Sequence, residues 1–222
     1  SHCHTVFHKP DKKLTLQIGD GQEIAIATGI KTICNFRSLD VALGGQGAPL
    51  VPIGDQFLFS EYDFCINIGG FANISFDDNG TRLAYDIGPA NIILNYFANN
   101  LGHPFDKNGA LGFLGKSDNQ LLNELNSLSY YSLNHPKSLG KEWLEMEFLP
   151  VLNQSTLNKH KQLKTIYEHI TFQITKSIES KRPSKTLITG GGAYNKLLIN
   201  LIKHKAKSEI ILPDQEIIEY KE

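Results

Sequence analysis

The sequence predicts an α/β fold in which strands and helices stack in layers. Three observations carry that expectation. Short apolar runs of period two alternate with stretches of helical spacing along the chain. Two strands, Phe64–Ile68 and Phe71–Phe76, precede a tight turn and a third strand, which Leu83 and Tyr85 lead to Asp86. Near the end, a strand at Lys185–Thr189 passes directly through Gly190-Gly191-Gly192-Ala193 into a helix.

The elements follow in order. Thr5–Phe7 and Leu14–Ile18 read as strands, and Glu23–Thr28 as a helix capped by Asp20 and closed by Gly29. Thr32–Asn35 reads as a further strand. Between Arg37 and Pro52 three glycines surround Gln46, removing side chains where a ligand or another backbone approaches closely. Arg37 and Asp40, just upstream, make either a loop with a surface ion pair or one wall of a polar pocket. In the central unit, Gly69-Gly70 punctuates two strands. Asn79-Gly80 signals a tight hairpin, because both central positions of a type I′ turn need positive φ. Asp86 ends the third strand beside Gly88-Pro89, and a carboxylate emerging there is suited to chemistry.

Asn91–Asn99 is helical, with Pro89 in its first turn. Ser117 caps a helix through Leu128, Tyr130–Gly140 is a loop, and Lys141–Phe148 is a short helix in which Trp143 packs. The longest helix runs from Ser155 to Ser180, where Leu163, Ile166, Ile170, Ile174 and Ile178 form one apolar stripe. Asn195–His204 is a helix, Ser208–Leu212 a strand, and Pro213–Glu222 an acidic tail that starts another helix. The glycine run after Lys185–Thr189 lets backbone approach a nucleotide and aims a helix N-terminus at it. It matches neither the P-loop nor the dinucleotide fingerprint.

Bulk properties narrow the function classes. A chain of 222 residues buries a sizeable core, and a net charge of −1 argues against nucleic acid or an anionic membrane as partner. Its apolar runs fall well short of the roughly 20 residues that span a bilayer. Cys3, Cys34 and Cys65 lack metal-type spacing and read as small apolar residues of a reducing cytosol. His2, His4 and His8 share one strand face by parity, but no spacing supplies a carboxylate or cysteine partner, so no metal site is assigned and the face is either a polar ligand-facing one or one of ordinary packing and exposure. The opening Ser-His-Cys-His and the closing Tyr-Lys-Glu read as the ends of a segment of a longer protein.

Taken together, the Gly-Gly turn, Asp86 and Gly190–Ala193 resemble the actin-like ATPase superfamily of sugar kinases, heat-shock ATPases and actins. More closely, the chain resembles anhydro-N-acetylmuramic acid kinases. The matching stretches include Gln17-Ile18-Gly19-Asp20, Asn35-Phe36-Arg37 with Asp40, and Gly44-Gly45-Gln46-Gly47-Ala48-Pro49-Leu50-Val51-Pro52. They continue through Asn67-Ile68-Gly69-Gly70-Phe71-Ala72-Asn73, Asp86 with Gly88-Pro89-Ala90-Asn91, Pro136-Lys137-Ser138, and Gly190-Gly191-Gly192-Ala193 with Asn195.

The resemblance implies an actin-like (ribonuclease H-like) fold with mixed sheets flanked by helices. Residues 1–60 would belong to a partial first lobe carrying a sugar-binding loop, and residues 61–222 to the second lobe. It implies a cytoplasmic enzyme of peptidoglycan recycling that uses ATP and Mg²⁺ to open the 1,6-anhydro ring of anhydro-N-acetylmuramic acid and phosphorylate O6. Asp86 would be the base that activates water, and Gly69, Gly70 and Asn73 would bind phosphate. Gly190, Gly191, Gly192 and Ala193 would line adenosine, while Arg37, Asp40, His2 and Glu222 would contact the sugar. A homodimer is a further implication. The family's N-terminal phosphate hairpin and closing helix have no counterpart here, so this segment alone is expected to be inactive. Two alternatives stay open: another actin-like sugar or acetate kinase, and a non-catalytic nucleotide- or sugar-binding fragment.

Overall fold

A computed structural model describes residues 4–9, 12–45, 47 and 50–221. The chain divides into two compact units, Ser1–Gly54 and Asp55–Glu222.

In the first unit, β1 (His4–Lys9) pairs antiparallel with β2 (Leu14–Ile18) across a bulge between Thr5 and Phe7. Helix α1 (Gly21–Thr28) starts where the Asp20 side chain accepts hydrogen bonds from the N–H groups of Gln22 at 2.7 Å and Glu23 at 3.3 Å. It ends at Gly29, whose φ of 67° places it in the left-handed region that glycine tolerates. Two expectations fail here. Thr32–Asn35 is no strand: it has no ladder partner, and Asn35 at φ 68° turns the chain directly into α2 (Phe36–Ala42). Arg37 and Asp40 therefore ride on a helix rather than a loop. Val41 is the one buried apolar side chain of this unit among the described residues, while Ile18, Ile26, Ile33, Phe36, Leu39 and Leu43 are exposed. Helix α3 (Pro52–Leu58) spans the boundary.

The second unit is built on one mixed sheet. Strands β3 (Phe64–Ile68), β4 (Phe71–Asp78) and β5 (Thr81–Pro89) form an antiparallel meander. Asn79 at φ 53° and Gly80 at φ 85° make its second turn, as the Asn-Gly pair requires. β6 (Lys185–Thr189) then adds parallel to β3, and β7 (Glu209–Ile211) parallel to β6, giving the order β5-β4-β3-β6-β7. An antiparallel meander continued by two parallel strands, with helices in the connections, is the ribonuclease H-like arrangement that the resemblance implies.

The helices are α4 (Asn91–Asn100), α5 (Ala110–Phe113), α6 (Asn119–Asn126) and α7 (Lys141–Trp143), followed by a wide turn at Leu144–Phe148. Then come α8 (Leu149–Gln154), α9 (Lys159–Ser177), α10 (Lys196–Lys205) and α11 (Gln215–Tyr220). Several ends differ from expectation by the identity of the cap. Asp118 rather than Ser117 caps α6, accepting from Leu121 N–H at 2.9 Å, and Asn158 starts α9 four residues late. Pro89 is the last residue of β5, not part of the helix after it. The α9 stripe packs as expected: Leu163, Ile166, Ile170 and Ile174 join Ile66, Ile68, Ile74 and Ile188 of the strands in one core. Trp143 packs against Tyr130, Tyr131 and Phe148.

His169 sits inside this core on α9, 1% exposed. Its Nδ1 donates to Asn126 Oδ1 at 2.7 Å, which leaves Nε2 to accept from the Tyr131 hydroxyl at 2.8 Å. Burial lowers its pKa from 6.5 to about 3. The unfolded chain protonates this imidazole near its ordinary value, so between those limits the unfolded state binds more protons. Stability therefore falls as pH drops through that window. The expected loss attributable to His169 is about 2 kcal/mol on going from pH 8 to pH 5. Urea unfolding midpoints at both pH values, compared with His169→Gln, check it: the variant should lose much of the pH dependence.

Candidate active site

Strand register assembles the site. Asn67 of β3 lies opposite Asn73 of β4, and Asn73 lies opposite Asp86 of β5. On the other side Asn67 lies opposite Thr189 of β6. Four polar residues from four strands thus form one row across the sheet, on the face opposite to Ile66, Ile68 and Ile74 by strand alternation. A bulge beside Ala72 and Asn73 leaves Ile87 as an extra residue on β5, and this sets Asp86 into the row while Ile87 enters the core.

Asp86 is half-buried, and desolvation raises its carboxyl pKa above the usual range; the N–H of Leu139 acts against this, donating to Oδ2 at 2.8 Å. Its backbone is held as well. Asp86 N–H donates to the Lys137 carbonyl at 3.1 Å, and the Tyr130 hydroxyl donates to the Asp86 carbonyl at 2.5 Å. No described residue hydrogen-bonds Oδ1.

Where β3 ends and β4 begins, beyond Asn67 and Asn73, stands the Gly69-Gly70 turn, joined tightly to the start of α4. Gly70 carbonyl accepts from Ala90 N–H at 2.8 Å and Ile92 N–H at 3.1 Å, and Gly69 carbonyl accepts from Asn91 N–H at 3.1 Å. The turn thereby satisfies the donors that a helix start leaves open. The N–H groups of Gly69 and Gly70 themselves have no acceptor among the described residues. They are available donors for an anion.

The glycine run Gly190–Gly192 divides by cause. A Cβ on Gly190, whose φ is 80°, would sit 2.0 Å from Asn67 Oδ1, and one on Gly192 would sit 2.2 Å from Ile68 Cγ2. Those two are glycines because the chain crosses the end of β3 in contact with it. Gly191 is different: a Cβ there would meet nothing nearer than Asn91 Nδ2 at 3.7 Å. It borders an open cavity of about 380 Å³ lined by Asn91, Asn95, Phe105, Asn108, Tyr194 and Asn195, among others. Behind that cavity Asp106 accepts from Leu111 N–H at 2.8 Å, Gly112 N–H at 2.9 Å and the Tyr167 hydroxyl at 3.0 Å. Asn195 Nδ2 donates to the same Tyr167 oxygen at 2.7 Å, so the wall is rigidly cross-bonded. Ala193 is buried beside it.

Comparison with known proteins decides the family. The family model described as anhydro-N-acetylmuramic acid kinase matches residues 1–217. The chain belongs to the anhydro-N-acetylmuramic acid kinase family. Two curated relatives of that name illustrate the distance. The protein of Shewanella frigidimarina is 40% identical over 213 residues, which is 90% of this chain and 57% of the relative. That of Aliivibrio fischeri is 35% identical over 221 residues, covering 92% of this chain and 59% of the relative. The chain therefore spans less than two thirds of the length of these anhydro-N-acetylmuramic acid kinases.

In this kinase family member, Asp86, Asn73 and the Gly69-Gly70 turn come together, and Gly190–Ala193 crosses the end of the same sheet. Arg37 and Asp40 belong to the first unit. There Asp40 Oδ2 accepts from Gly47 N–H at 2.6 Å, and Arg37 Nε is buried without a hydrogen-bond partner among the described residues. No ion pair between Arg37 and Asp40 is present among the described residues, so the surface-pair alternative does not hold. His2 and Glu222 lie outside the described residues, as does the side chain of His4 and of His8. Asn67, Asn91, Tyr130 and Leu139 carried no sequence-based assignment. Asn67 and Asn91 sit inside quoted motifs, so the signal existed; for Tyr130 and Leu139 it did not, because their link to Asp86 is a long-range contact. Among the described residues no helix is long and apolar enough to cross a membrane.

Proposed function

We propose that the complete protein is an ATP- and Mg²⁺-dependent kinase of peptidoglycan recycling. It opens the 1,6-anhydro ring of anhydro-N-acetylmuramic acid with water and phosphorylates O6, in the cytoplasm. The observation that carries this reading is the row that sets Asp86 and Asn73 beside a glycine turn with two unengaged N–H donors.

On this reading Asp86 takes a proton from water as the water oxygen bonds to the anomeric carbon. The bond from that carbon to the bridging oxygen breaks, and the bridging oxygen, now O6, bonds to the γ-phosphorus as ADP departs. A carboxylate whose pKa is raised by burial is a better proton acceptor near neutral pH than an exposed one. Gly69 and Gly70 N–H groups hold phosphate, with Asn73 alongside. The cavity at Gly191 takes adenosine, while Gly190, Gly192 and Ala193 bring its wall against β3. Mg²⁺ supplies charge neutralisation on the phosphates. Among the described residues no group of three or more His, Cys, Asp or Glu assembles. Arg37 and Asp40 are suited to the hydroxyls and carboxylate of the sugar acid.

The test is turnover by the complete protein in ¹⁸O-labelled water. One ADP per sugar, with the label in the new anomeric hydroxyl, is expected. ADP formation without label, or equal turnover of acetate or a free hexose, would overturn the reading.

A further inference from the structure

The loop from Tyr130 to Leu139 comes from a part of the sequence far from β5, yet it grips Asp86 at three points. Leu139 N–H engages Oδ2 at 2.8 Å, the Lys137 carbonyl accepts from Asp86 N–H at 3.1 Å, and the Tyr130 hydroxyl donates to the Asp86 carbonyl at 2.5 Å. The loop is itself tied shut. Lys137 Nζ donates to the Tyr130 carbonyl at 3.1 Å and lies 4.5 Å from the Tyr130 ring centre and 5.7 Å from that of Tyr85. His135 stacks on the other side of this group, with ring centres 5.4 Å apart from Tyr85 and planes 12° apart. Below, Tyr131 is anchored to His169 of α9. Because β5 is an edge strand, its outward N–H groups need partners, and the loop supplies one at the residue that matters.

We propose that Tyr130, Lys137 and Leu139 act as a clasp whose function is to occupy Oδ2 of Asp86 and present Oδ1 to the reacting water. This rests on the reading of Asp86 as the base. Binding one carboxylate oxygen fixes the plane of the group, and engaging the backbone N–H and C=O of Asp86 holds this edge-strand residue in place. A reacting group held to within a few tenths of an ångström is what such a proton transfer needs. On this proposal the three are positioning residues, acting through their contacts with Asp86 and with one another.

The clasp also bears on the acid limb of the rate profile. Leu139 N–H favours the charged carboxylate, so release of that contact moves the pKa of Asp86 up. The ionisable groups around Asp86 and the loop are Tyr130, Lys137, Tyr85 and His135, with Lys176 of α9 acting on Lys137.

The experiment uses the complete protein with Tyr130→Phe, Lys137→Met and Lys137→Arg, read by steady-state kinetics across pH and by thermal melting. Tyr130→Phe and Lys137→Met should lower kcat by about ten- to a hundred-fold with KM for both substrates nearly unchanged. The acid limb of kcat/KM should move to higher pH, and Lys137→Arg should restore much of the rate. Unchanged kcat and limb in both variants would overturn the clasp, and so would a rate loss that tracks melting temperature while the limb stays in place. If one variant does not fold, the other decides. Asp86→Asn run in parallel separates the two claims: if it turns over normally, the assignment of the base has failed, whereas an inactive Asp86→Asn beside unaffected clasp variants removes the clasp alone.

Discussion

Asp86→Asn in the complete protein should abolish turnover and leave nucleotide binding intact. The substitution keeps the shape of the side chain, and Asn Oδ1 can still accept from Leu139 N–H, so the local structure has no reason to rearrange. What is lost is the capacity to take a proton. General-base catalysis is worth about 10²–10⁴-fold in rate, and the fall in kcat should lie in or above that range. Stability should change little or rise slightly, because the carboxylate is costly to bury and its pKa is raised chiefly by desolvation. Calorimetric titration with a non-hydrolysable ATP analogue should give an affinity within about twofold of the parent, since the cavity at Gly191 and the Gly69-Gly70 turn are untouched. Near-normal turnover would remove Asp86 from the role of base.

Asp55→Ala is expected to be strongly destabilising. Asp55 is 4% exposed and lies at the centre of a buried charged cluster within the second unit. Its Oδ1 stands 2.7 Å from Lys221 Nζ, and Oδ2 accepts from the Ser75 hydroxyl. Arg82 Nη2 donates to Ser75 Oγ at 2.8 Å and stands 3.9 Å from the same Oδ2. The Arg82 and Lys221 side chains are themselves only 9% and 3% exposed. Removing the carboxylate leaves two cations in a poorly solvated place without their counter-charge. A penalty of about 3–5 kcal/mol follows, much of it desolvation no longer offset. In a thermal melt this corresponds to a fall of roughly 10 °C for a unit of this size. Asp55→Asn should retain the Ser75 contact and lose less. A loss below about 1 kcal/mol for Asp55→Ala would show that the cluster relaxes into water.

What the sequence made legible was local. The meander from Phe64 to Asp86 could be placed because period-two patterning and an Asn-Gly pair act over a few residues. The α9 stripe was legible for the same reason. Asp86 stood out as a carboxylate ending a strand, but β5 runs on past it to Pro89, because Gly88 and Pro89 still pair with Ala72 and Phe71. The alignment of Asn67 and Asn73 with it was not legible, since register is set by packing between strands and by the bulge at Ile87. Tyr130 and Leu139 lie 44 and 53 residues from Asp86 along the chain, and nothing in their own neighbourhood marks the contact. Thr32–Asn35 failed as a strand because β propensity is realised only where a partner edge exists. In the glycine run, sequence showed that side chains had to be absent but not why. The structure separates Gly190 and Gly192, crowded by β3, from Gly191, which opens on the cavity.

The cross-bonded wall of the Gly191 cavity has a thermodynamic consequence. Asp106, Tyr167 and Asn195 are already held by one another, so little side-chain freedom is left to lose there when a ligand enters. On the proposed reading, nucleotide affinity would then draw little on ordering of that wall, and Tyr167→Phe, which cuts both links, would weaken it by loosening the wall rather than by removing a contact to the ligand.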